Sequence, residues 1–176
     1  MKKIYLTILF IVILSSCSGD KKEISIIQEK EINLQMIEAY NLGMKALEEG
    51  DGLSAAQKFN EAELIFPQSE WASKSSLMSA YSYYKDSYYG DAINELERFI
   101  DVYSKNKNIA YAHYLLGMCY YESIIDEKKD LGPLNKSKKQ FEYLLKNYPN
   151  TDYAADAKFK LDMIQEILAS KEMYIA

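Results

Sequence analysis

Three small residues stand at one fixed interval. Gly43, Ala80 and Gly117 follow one another 37 residues apart. Ala55 and Ala92 lie 12 residues beyond the first two, and Pro67 lies 12 beyond Ala55. After Gly117 the step lengthens to 20, reaching Ser137, and Pro149 again comes 12 later. The eight extra residues fall in DEKKDLGPLNK, where Gly132-Pro133 marks a turn, and a longer loop there costs little. Small residues at a constant period mark places where helix axes cross closely, and a period in this range belongs to stacked helical units. Larger residues surround each crossing: Phe59, Leu96 and Phe141 stand seven residues before Phe66, Tyr103 and Tyr148.

A repeated phrase punctuates the array. FPQSEWASKS at 66–75 and YPNTDYAADA at 148–157 both read aromatic–Pro, a polar step, then aromatic–Ala. Proline cannot continue a helix's hydrogen-bond ladder, so each phrase is the joint between consecutive helix pairs. The middle copy, YSKNKNIAYA at 103–112, has lost its proline and gained a residue. The spacing is that of the tetratricopeptide repeat (TPR). It predicts an all-α helix-pair solenoid of three repeats plus one further helix, with helices near 35–49, 53–65, 70–87, 90–104, 109–126, 135–147 and 151–173. No segment alternates as a strand would.

The first residues read as targeting rather than fold. Lys2 and Lys3 precede an 11-residue apolar run, Ile4 to Leu14, which as a helix rises roughly 16 Å, about half a bilayer's hydrocarbon core. The run ends in Leu-Ser-Ser-Cys at 14–17, which resembles a bacterial lipobox, where a cysteine thiolate, a strong nucleophile, takes a diacylglycerol before cleavage. The resemblance implies a covalent diacylglycerol and an N-acyl lipid on Cys17, enough chains for firm anchoring. Ser18 in place of the retaining Asp points to the outer membrane, periplasmic face. The expected organisation is a signal peptide at 1–16, the lipidated Cys17 with a flexible tether at 17–33, and the repeat domain at 34–176.

Composition narrows the function. The net charge is -5 and Arg98 is the single arginine, which argues against a nucleic-acid surface. No glycine-rich phosphate loop, CxxC pair or nucleophile elbow occurs. His113 has no second metal donor at helical spacing and reads as structural. Glu48-Glu49 and Glu61-Glu63 read as solvated helix faces, and Cys119, within LLGMCYY, as a small core residue. The expectation is no enzyme, no cofactor beyond the lipid, and a binding surface. Sixteen tyrosines supply apolar rings with hydroxyl tips. Tyr40, Tyr81, Tyr84, Tyr111 and Tyr114 on the first helices, with Phe66 at the joint, are the candidate peptide-binding residues.

Taken together, LSSCSG, FPQSEWA, AYSYYKDSYYGDAINELERFIDVY, NIAYAHYLLGMCYY and YPNTDYAADAKFKLDMIQEILASKEMYIA resemble the BamD family. These are tetratricopeptide lipoproteins of the β-barrel assembly machinery. The resemblance implies a scaffold that binds nascent outer-membrane proteins and joins the barrel-forming central subunit and accessory lipoproteins. The resemblance implies a pattern of five repeats, of which this sequence is expected to hold three and one helix of a fourth and to lack the C-terminal repeats, to which the resemblance assigns contact with the central subunit. Phe66 matches the aromatic of the family's first joint, in its substrate-facing region, while Tyr83 and Tyr120 match packing places. The alternative is a TPR lipoprotein of another envelope assembly, a secretin pilotin or cell-division coordinator.

Cys17→Ser is expected to leave an uncleaved precursor. Intact mass of membrane-extracted protein checks this, and an unmodified Cys17 in the wild type would remove the anchor.

Overall fold

The computed structural model describes residues 21–123 and 131–175. The signal segment, Cys17 and the insertion around Lys128 lie outside them. Among the described residues there are seven helices and no strand: α1 Lys21–Glu48, α2 Gly52–Ile65, α3 Glu70–Lys85, α4 Tyr89–Val102, α5 Ile109–Glu122, α6 Gly132–Asn147 and α7 Asp152–Ile175. Each packs on its chain neighbours, giving three antiparallel pairs and a seventh helix.

Two local expectations are corrected. The stretch expected as a flexible tether is helical from Lys21, because KKEISIIQEKEIN contains no Gly or Pro and is rich in good helix formers. Gly132-Pro133, expected as a turn, opens α6 instead, with proline in the first turn. There its missing N–H would be unpaired anyway and its φ suits the helix.

The periodic small residues lie at the crossings. Gly43 and Gly117 are buried, and a Cβ on them would stand 2.9 Å from the Phe59 ring and 2.5 Å from the Phe141 ring. In the second pair Ala80 and Leu96 are both fully buried in one cluster. A larger residue on the first helix is thus matched by a smaller one on the second. Ala55, Ala92 and Ser137 are also fully buried, and the Ser137 hydroxyl donates to the Gly117 carbonyl at 2.9 Å.

The repeated phrase is a repeated set of hydrogen bonds. Ser69 Oγ donates to Phe66 O at 2.8 Å and accepts from Ala72 N at 3.2 Å. Thr151 Oγ1 does the same with Tyr148 O at 2.8 Å and Ala154 N at 3.2 Å. One hydroxyl thereby closes the turn and caps the next helix. In the middle joint the turn persists, with Asn106 N donating to Tyr103 O at 2.8 Å. Helix α5, however, starts six residues after Tyr103, where α3 and α7 start four after Phe66 and Tyr148.

A polar clamp joins the first two repeats. Glu63 of α2, expected on a solvated helix face, is corrected to a buried site: it is 7% exposed and receives two hydrogen bonds from Arg98 of α4, at 2.8 and 2.6 Å. Arg98 also reaches Glu95 at 2.7 Å and Ser76 of α3 at 3.0 Å. Tyr103 donates to Glu63 Oε1 at 2.7 Å, and burial, then that bond, pushes its hydroxyl pKa up to about 12.

Gly117→Ala is expected to destabilise the protein by about 1–3 kcal/mol through overpacking. Adding Phe141→Leu should recover part of the loss, because it recreates the Ala80–Leu96 pairing. Urea unfolding of the four species checks this, and strictly additive effects would refute the interlock. Arg98→Met is expected to cost about 1.5–3 kcal/mol, the range for hydrogen bonds to charged groups. Arg98→Lys should restore little, since an ammonium cannot make the forked contact; thermal unfolding of both variants decides.

Candidate functional site

Helix α5 touches α3 and α7 directly as well as its chain neighbours, so these first helices form one side of the array. Along α3, Lys74, Leu77, Met78 and Tyr81 recur at helical spacing and share one stripe. With Asn108, Tyr111 of α5 and Tyr153 of α7 they line a groove of about 380 Å³. Leu77 is buried and Met78 half-buried, which gives the groove an apolar floor. The Tyr111 and Tyr153 rings lie 5.3 Å apart. Burial, with Tyr81 and Tyr153 close by, holds the Tyr111 hydroxyl pKa above its ordinary value, so this hydroxyl donates and accepts hydrogen bonds as a neutral phenol.

A second hollow of about 760 Å³ adjoins it, lined by Glu70, Trp71, Ser73, Lys74, Lys105, Asn106, Lys107 and Asn108. The Lys74 ammonium sits 4.5 Å from the Trp71 ring centre and 4.7 Å from that of Tyr40. Such cation–π contacts fix the ammonium without neutralising it.

The six sequence candidates separate. Tyr81 and Tyr111 come together in the groove. Tyr40 is corrected to the core: it is 6% exposed, with its ring edge-on to Phe59 at 5.1 Å and Trp71 at 5.0 Å. Phe66 is half-buried against the first repeat's cluster at the C-terminal end of α2, and does not line the groove. Tyr84 packs against two core clusters. Tyr114 borders the groove, its ring 5.5 Å from Tyr153 and its hydroxyl donating to Asp156 at 2.6 Å. Tyr83 is packed against the second cluster and Tyr120 is buried within it.

Sequence reasoning missed Lys74, Leu77, Met78, Tyr153, Trp71 and Asn108. A signal for two of them was present in the aromatic–Ala pairs of the joints. Ala72 and Ala154 are buried at 0% and 1%, while Trp71 and Tyr153 remain 36% and 37% exposed. In each pair the alanine turns inward and the ring outward.

His113 is buried, its Nδ1 2.9 Å from Gln140 Oε1 and its ring 4.3 Å from that of Tyr143; burial lowers its pKa. The Cys119 thiol is buried and its pKa is pushed up to about 12. Among the described residues no group of three or more His, Cys, Asp or Glu is placed to hold a metal ion, and no helix is long and apolar enough to cross a membrane.

Comparisons with known proteins agree with this architecture. The chain is similar to the first TPR domain of human RPAP3, with a TM-score of 0.58, 20% identity and coverage of 78% of this chain and 95% of that one. It is also similar to the Arabidopsis OM64 TPR domain, with a TM-score of 0.58, 14% identity and coverage of 75% and 98%. At such identities the likeness is one of fold. In sequence it is 35% identical over 162 residues to the outer membrane protein assembly factor BamD of Caulobacter vibrioides, covering 92% of this chain and 52% of that protein. It is 36% identical over 136 residues to the factor of the same name from Rickettsia prowazekii, covering 77% and 54%. The chain thus spans about half the length of these curated relatives. Residues 33–176 match the family model YfiO, described as outer membrane lipoprotein, and the chain belongs to that family.

Proposed function

We propose that this chain is a lipid-anchored TPR scaffold of the outer-membrane β-barrel assembly machinery. It binds the C-terminal segment of an unfolded outer-membrane protein in the α3–α5–α7 groove and aids its insertion. One observation carries the reading: Leu77, Met78, Tyr81, Tyr111 and Tyr153 converge from three helices on one half-open groove. An extended segment presents alternate side chains to one surface. Tyrosine rings offer such a ligand large contact area at small entropic cost, and hydroxyls for its backbone. Binding, rather than catalysis, is what these groups do. Family membership supports the setting, since the relatives carry the name of assembly factor.

Cys17, with its diacylglycerol and N-acyl chains, holds the protein at the periplasmic face of the outer membrane in this reading. The barrel-forming central subunit and accessory lipoproteins are its partners there.

Photo-crosslinkers at Tyr81 and Tyr111 are expected to capture a porin C-terminal peptide, while one at Leu64, 76% exposed on α2, should not. Equal capture at Leu64, or none in the groove, would refute this function. Depletion should lower porin levels in the outer membrane; unchanged levels would favour service in another envelope assembly.

A further inference from the structure

The groove and the adjoining hollow share Lys74 and Asn108, so they are two parts of one surface with different chemistry. The groove is aromatic and apolar. The hollow presents Lys74, Lys105 and Lys107 against one carboxylate, that of Glu70. In a chain of net charge -5, three lysines around one hollow run against the average. Among the described residues, none of the three has a carboxylate within ion-pair distance.

The local fold explains how they come together. The longer middle joint brings in Lys105 and Lys107, and its conformation is held. Asn106 Nδ2 donates to Ser73 Oγ of α3 at 2.9 Å, and Asn106 Oδ1 accepts from Asn108 N at 2.8 Å. Lys74 is fixed over Tyr40 and Trp71 from the α3 side. The ammonium groups therefore border a defined hollow beside the tyrosines.

We propose that this hollow binds the C-terminal carboxylate of a peptide whose last aromatic side chain fills the neighbouring groove; this rests on the groove being the peptide site. Because the two parts abut, a residue that carries both an anion and a ring can occupy both at once. In an extended chain the side chain next to the aromatic points to the opposite face, which takes an internal Asp or Glu at that position away from the lysines. A terminal carboxylate shares its α-carbon with the ring and meets both. An internal Asp or Glu two residues before the ring shares its face but stands about 7 Å further along the strand, so the terminal carboxylate is the anion that lies directly beside the ring.

Three synthetic peptides of one aromatic-ended porin sequence test this: one with a free C-terminus, one amidated, and one amidated with an Asp two residues before the last, on the face of the ring. Trp71, the chain's single tryptophan, lines the hollow and reports binding by its fluorescence, with calorimetry for affinity. The free acid is expected to bind about fivefold to tenfold tighter than either amide, as two or three exposed ion pairs allow, and the preference should shrink as salt is raised. Lys105→Gln with Lys107→Gln should reduce the preference with little change in affinity for the amide. Equal binding of acid and amide, or a preference that survives the double variant, overturns the carboxylate site and leaves the groove reading intact. Matching affinity of the Asp-bearing amide overturns the restriction to chain ends. Failure of all three peptides to bind overturns the groove reading and this inference with it.

Discussion

The interlock of a side-chain-free position on a first helix with a phenyl ring on its partner sets the geometry of the whole array. A Cβ at Gly43 or Gly117 would press into Phe59 or Phe141, so in these pairs a ring on one helix packs directly against the bare backbone of the other. Close-packed interiors yield little to added volume. The second pair reaches the same result with Ala80 and Leu96. Because each crossing is fixed, the first helices come out in register, and residues on α3, α5 and α7 that are far apart in sequence line one groove.

Stacking the pairs requires more than apolar contact. Glu63 is buried at the seam between the first and second repeats, and its charge is met by Arg98 and the Tyr103 hydroxyl. A buried carboxylate without partners is costly, whereas a forked guanidinium satisfies both oxygens at once. The single arginine of the chain therefore has a structural role, and the cations that line the hollow beside the groove are lysines.

The joints connect architecture to chemistry. Where serine or threonine closes the turn, the next helix starts early, its alanine packs inward and its aromatic residue faces outward. Where the middle joint carries Ser-Lys-Asn-Lys-Asn instead, the helix starts two residues later and lysines occupy the space beside the groove. One change in a connecting segment thus gives an aromatic surface an electropositive border.

The sequence by itself determined the helix count, the crossings and the joints, because these depend on local periodicity and on residue size at fixed intervals. It also marked Tyr81 and Tyr111, and assigned Cys119, His113, Tyr83 and Tyr120 to packing. It did not separate Tyr40, which is sealed between Phe59 and Trp71, from the tyrosines that face the groove, nor find Tyr153, Trp71 or the lysine cluster. Nor did it reveal that the stretch from Lys21 is helical, since its charged, weakly patterned sequence offers no clear apolar periodicity to read. Only the tertiary structure decided those points. A ring's exposure depends on which neighbour covers it, and neighbours across repeats are set by the angle at which helix pairs stack, a quantity that no single helix encodes.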